Sequence, residues 1–172
     1  RLATLEQRVL GVVRERDVPG SAIPSLYFQF LRRRLAAPLR DVVIHNRHDV
    51  LALVGLLGWL ARALDGGIEA LTPEERAGLG RLWERTDLER ACLSYEAALA
   101  AGLDGAGGHA VRLRLARWEK RRARWAAARV LWEAAVTARG FDPRPWEELA
   151  KFHEHRARDL GAARDVVLRA LD

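Results

Sequence analysis

The stretch Trp125-Ala126-Ala127-Ala128-Arg129-Val130-Leu131-Trp132-Glu133-Ala134-Ala135 repeats a pattern found twice elsewhere in the chain. Trp125, Ala128, Trp132 and Ala135 recur at spacings of 3, 4 and 3, which places them on one face of an α-helix. Thirty-seven residues earlier stand Leu88, Ala91, Tyr95 and Ala98; 35 residues later stand Leu160, Ala163, Val167 and Ala170. Large and small residues alternate on the same face three times. Upstream of each set lies a second helical pattern with an aromatic anchor: Trp83, Trp118 and Phe152. Small alanines let neighbouring helices approach, and the aromatics fill the grooves between them. Such helix pairs bury their apolar faces by stacking on one another.

Composition agrees. Among 172 residues there are 29 Ala and 27 Leu against 20 Val, Ile and Thr together, so straight-chain helix formers dominate and an all-α fold is expected. A unit of roughly 34 residues holding two helices resembles the tetratricopeptide repeat, or the related half-a-TPR repeat. Three units imply a short solenoid, a form that binds protein partners. Pro145-Trp146 through Phe152 reads as the first helix of the last unit. Trp83, Trp118 and Trp132 are expected in the core, and Trp146 partly exposed. Asp65-Gly66-Gly67 is a helix stop, and Thr72-Pro73-Glu74-Glu75 carries the cap, proline and acids of a helix start. These signals divide the chain into residues 1–67, a linker 68–72 and a repeat region 73–172.

The chain is basic, with 29 Lys and Arg against 23 acids and a net charge of +6, which suits a nucleic-acid partner. The basic residues concentrate in Arg112–Arg129. There Arg114, Arg117, Arg121 and Arg124 recur at 3, 4 and 3, either as a solvated face or as a phosphate-contacting strip. The longest apolar run, Val50–Ala61, is too short to cross a bilayer, so no membrane partner is expected. A single cysteine, Cys92, excludes a disulfide framework, reads as core and fits a cytoplasmic protein. Arg1-Leu2-Ala3-Thr4-Leu5-Glu6 reads like the middle of a helix, so a natural N-terminus further upstream is expected.

Residues 2–13 read as one helix, Asp17-Val18-Pro19-Gly20 as a turn, and Ser21–Pro24 as the opening of a second helix. A third runs from about Pro38 to Leu64. On its face Val42, His45, Asp49, Leu53, Leu56 and Leu60 align, so a histidine and an acid sit in an aliphatic stripe. A carboxylate there must be paired or bind a metal ion. Three readings stand open: a helical His45–Asp49 pair, Asp49 facing an arginine, or a chemical site.

The residues Leu5-Glu6, Arg14-Glu15-Arg16-Asp17-Val18-Pro19-Gly20, Ile23-Pro24, Tyr27, Leu31 and His45-Asn46-Arg47-His48-Asp49-Val50-Leu51-Ala52-Leu53 resemble the end of an exonuclease-like domain. The family is the YprB-like branch of the ribonuclease-H-like superfamily, whose members share four metal-binding acids. The resemblance covers about residues 2–64, and some members carry a tetratricopeptide tail. It implies that Asp49 is the fourth acid, a ligand of Mg²⁺ or Mn²⁺, and that His45, in the place of a tyrosine, orients or deprotonates the attacking water. The family's Asp-x-Glu motif and third acid lie upstream of this region. The one Asp-x-Glu here, Asp87-Leu88-Glu89, opens a helix, and Asp87 reads as its cap. On this reading the chain is the C-terminal piece of a metal-dependent 3′→5′ exonuclease and is inactive alone. The alternatives are a non-catalytic protein-interaction scaffold and a nucleic-acid-binding adaptor. Val42, Leu53, Leu56 and Leu60 would then lack the sheet they cover, favouring self-association and a less stable first part.

Overall fold

A computed structural model describes residues 2–14, 17–66, 71–137 and 140–171. Every regular element among them is helical, and the chain divides into two compact units, residues 1–69 and 70–172. The linker expected at 68–72 overlaps residues 67–70, which lie outside the described residues, as do Glu15 and Arg16 of the quoted motif.

In the first unit, helix α1 (Leu2–Leu5) runs into a π-helical turn, Glu6–Leu10. The single helix expected over 2–13 is cut short at Gly11, whose backbone is left-handed (φ 68°). A 3₁₀ turn, Gly20–Ala22, leads into α2 (Ile23–Arg33), and α3 spans Ala37–Leu64. The π turn lies on α3 at Gly55: a Cβ there would stand 3.0 Å from Leu10 Cδ1. The apolar interior is thin, with Ala52 and Ala63 its buried apolar residues among those described. The exposed stripe of α3 is not the expected one. Of the expected residues Leu53 is exposed, but Val42, Leu56 and Leu60 are half-buried, whereas Val43, Val50, Val54 and Leu57 form one open face. The stripe is rotated because His45 and Asp49 turn toward the polar contacts of the preceding segment.

The second unit consists of α4 (Pro73–Trp83), α5 (Leu88–Ala100), α6 (Gly105–Arg121), α7 (Trp125–Val136), α8 (Pro143–Phe152) and α9 (Leu160–Leu171). They pack as three consecutive pairs, with α7 also lying on α8. Thr72 and Glu75 close a capping box on α4, and Asp87 caps α5 by accepting from the Arg90 amide. One core cluster joins Ala91, Tyr95 and Ala98 to Val111 and Leu115; a second joins Ala128 and Trp132 to Leu149 and Val166. The helices of the first pair touch at Gly80, where a Cβ would stand 2.5 Å from the Tyr95 ring. Trp132 is buried, while Trp83, Trp118 and Trp146 are half-buried, each with an arginine guanidinium over its ring. Cys92 is buried, and burial pushes its thiol up.

The third unit departs from the expected register. Leu160 and Val167 are exposed and Val166 is buried instead. The inward face of α9 is turned by about one residue, and it packs mainly on α8 and the turn His153–Ala157.

Candidate functional site

His45 and Asp49 lie one turn apart on α3, as the spacing requires. Beyond Gly11 the chain brings Arg14 against that turn, and three carboxylates converge on its guanidinium. Arg14 donates from Nε to Glu6 Oε2 (2.7 Å) and from Nη2 to Glu6 Oε1 (2.5 Å), a two-pronged pair with a carboxylate that is almost fully buried. Its Nη1 donates to Asp17 Oδ2 at 2.9 Å, and Nη2 also reaches Asp49 Oδ1 at 2.7 Å. His45 Nδ1 stands 2.5 Å from Asp17 Oδ1, and His45 Nε2 stands 3.4 Å from Asp49 Oδ2. Of the readings left open for Asp49, the geometry combines two: it faces an arginine, Arg14, and it stands beside His45.

The electrostatics follow from the partners. The Glu6 pair above all, with Asp49 and Asp17, raises the Arg14 guanidinium further above its ordinary range against the opposing effect of burial. Burial alone would push the Asp17 carboxyl up, but the bonds from His45 and Arg14 outweigh it and hold the group below its ordinary value. Glu6 and Arg14 also line a cleft of about 550 Å³ walled by Leu10, Val13, Ile44 and Leu51. His48 borders the same cleft, and its Nδ1 is buried with no hydrogen-bond partner among the described residues.

The donor set is poor for a metal ion. Hard divalent cations take about six oxygen ligands, and no group of three His, Cys, Asp or Glu among the described residues could hold one. Asp49 Oδ1 is engaged by Arg14, which leaves Oδ2 of a partly exposed side chain. These residues therefore fit a metal ion as the source of one oxygen ligand, not as a complete cage.

The arginines of the basic segment do not form one continuous strip. Helix α6 ends at Arg121, Ala123 takes a left-handed backbone (φ 58°), and Arg124 leaves the helix face. Arg114 pairs with Glu84 at 2.5 Å, on an oxygen that also accepts the Tyr95 hydroxyl at 2.6 Å. Arg121 lies over the Trp118 ring, Arg124 is 3.7 Å from Glu119, and Arg117 is exposed.

Glu6, Arg14 and Asp17 were legible as parts of a family motif, but no spacing rule assigns them to one cluster. Arg14 and Asp49 are 35 positions apart, and a turn of irregular backbone brings them together.

Residues 1–61 match the RNase_H_2 family model, described as RNase_H superfamily. The chain is similar to the uncharacterized protein YprB of Bacillus subtilis (strain 168), with 29% identity over 184 aligned residues, 99% of this chain and 42% of that protein. The chain thus spans less than half the length of this relative. No solved structure matches it. The quoted motif and the His45–Asp49 pair at its end both lie within residues 1–61, the part of this chain that is similar to the ribonuclease H superfamily.

Proposed function

We propose that the chain is the C-terminal portion of a metal-dependent 3′→5′ exonuclease acting on DNA or RNA, followed by a tetratricopeptide-like tail that binds substrate or a protein partner. The observation that carries this reading is the juxtaposition of His45 and Asp49 inside the superfamily segment. Asp49 would contribute one oxygen to Mg²⁺ or Mn²⁺, and the remaining ligands would come from other carboxylates of the protein. A bound divalent ion supplies charge stabilisation at the phosphodiester. His45, held on its Nδ1 side by Asp17, would present Nε2 to the attacking water. Arg117 and Arg121 would contact phosphates, which adds affinity without sequence preference. The three stacked helix pairs favour the scaffold as a second reading, in which the tail binds a protein and the first unit does no chemistry. A cytoplasmic setting, supported by the lone buried Cys92, belongs to the same proposal. No helix among the described residues is long and apolar enough to cross a membrane.

The test is degradation of an end-labelled oligonucleotide by the full-length protein carrying this chain, titrated with Mn²⁺, with and without Asp49→Asn. Digestion should need the ion and fall to background in the variant. Equal digestion by both proteins would remove Asp49 from the reaction.

A further inference from the structure

We propose that Arg14 is the positioning residue of this site, an internal cation that fixes both Asp49 and, through Asp17, His45; this rests on the exonuclease reading above. Four distances carry it. Glu6 takes Nε and Nη2 in a two-pronged pair at 2.7 and 2.5 Å, and so sets the plane of the guanidinium. The side chains of Glu6 and Arg14 are 3% and 7% exposed, so that plane has little freedom to rotate. The donors left over point to the two carboxylates that flank His45: Nη1 to Asp17 at 2.9 Å and Nη2 to Asp49 at 2.7 Å.

The consequence is an orientation. Holding Asp49 by Oδ1 turns Oδ2 toward His45 Nε2, 3.4 Å away, so both atoms can face one reacting group. Holding Asp17 by Oδ2 leaves its Oδ1 for His45 Nδ1, which fixes the imidazole from behind. Three carboxylates surround one guanidinium. Without it they repel one another, and Asp49 and Asp17 lose the contact that sets their rotamers. A lysine keeps the charge but cannot reproduce the fork with Glu6 while also reaching the other two acids.

The test uses the full-length protein and the Arg14→Ala, Arg14→Lys and Asp49→Asn variants. Each is assayed for kcat and KM on an oligonucleotide with saturating Mn²⁺, and for thermal midpoint without substrate. Loss of an orienting contact behind a reacting group costs roughly 10- to 100-fold in activity. Arg14→Ala should therefore lose kcat by that factor at unchanged KM. Millimolar guanidinium chloride should restore kcat and raise the midpoint of this variant saturably, whereas sodium chloride at equal ionic strength should do neither. Wild-type kcat in Arg14→Ala overturns the proposal. So does a midpoint restored by guanidinium with no recovery of kcat, since Arg14 would then only hold the fold. If Arg14→Ala does not fold, Arg14→Lys decides: a folded variant with lowered kcat supports the proposal, and one with wild-type kcat removes it. Full activity in Asp49→Asn would instead overturn the exonuclease reading itself, and this proposal with it.

Discussion

Asp142 caps α8 by accepting from the Arg144 amide, and its carboxylate also takes the Arg144 guanidinium and His109 Nε2 at 2.7 Å. Arg144 first, then His109, hold its carboxyl well below the ordinary 3.8, although burial acts the other way. The sign is that of a depressed acid. The stability is fully present above the unfolded pKa, near 3.8, and is lost as pH falls toward the folded value. Asp142→Asn keeps a capping side chain and removes the charge. It should be less stable than wild type at pH 7, and the difference should shrink as pH falls below about 4. Urea unfolding at several pH values, followed by circular dichroism, measures this; a difference that is constant with pH would refute the assignment. Asp17 in the candidate site is depressed as well, by its bonds to His45 and Arg14 acting against burial, so acid should loosen the first unit in the same direction.

Among the helices, the contact of α4 with α5 is the least forgiving. At Gly80 any Cβ meets the fully buried Tyr95 ring, whose hydroxyl is tied to Glu84. Gly80→Ala gains about 1 kcal/mol of helix propensity and loses about 1–3 kcal/mol to overpacking, so it should lower stability in denaturant titration. Wild-type stability in this variant would show that the pair can separate freely. On α6 the arginines divide by environment. Arg114 is committed to Glu84, Arg121 lies over the Trp118 ring, and Arg117 is exposed. Arg117→Glu with Arg121→Glu should weaken nucleic-acid binding and reduce the slope of log K against log salt by about 2, roughly 1 for each lost contact. An unchanged slope, read by fluorescence anisotropy at several salt concentrations, retires the strip. Helical spacing alone marks the first two inward faces of the repeat, because those helices have neighbours on both sides. It misassigned the inward face of α9 and put Arg124 on α6, because periodicity carries no information about where a helix stops or which residues it will meet.

Taken whole, the molecule joins two units of unequal cohesion. Residues 71–171 hold two core clusters, whereas the first unit leaves Val43, Val50, Val54 and Leu57 open along α3. An apolar face of that length invites association. Sedimentation of the chain should show mass rising with concentration, and Val50→Glu with Val54→Glu should suppress the rise; a monomer at all concentrations would exclude this face as a contact. Sequence by itself determined the all-helical class, the span of α3, the caps at Thr72 and Asp87, and the placement of His45 and Asp49 one turn apart on one helix face. All of these rest on interactions between residues a few positions apart, which periodicity and capping rules express directly. Tertiary structure alone decided that Arg14 is the cation between Glu6, Asp17 and Asp49, which face of α3 stays open, and which residues of α9 turn inward. Those outcomes depend on contacts between segments distant in the chain, whose geometry is fixed by the turn at Gly11 and by the helices each face happens to meet.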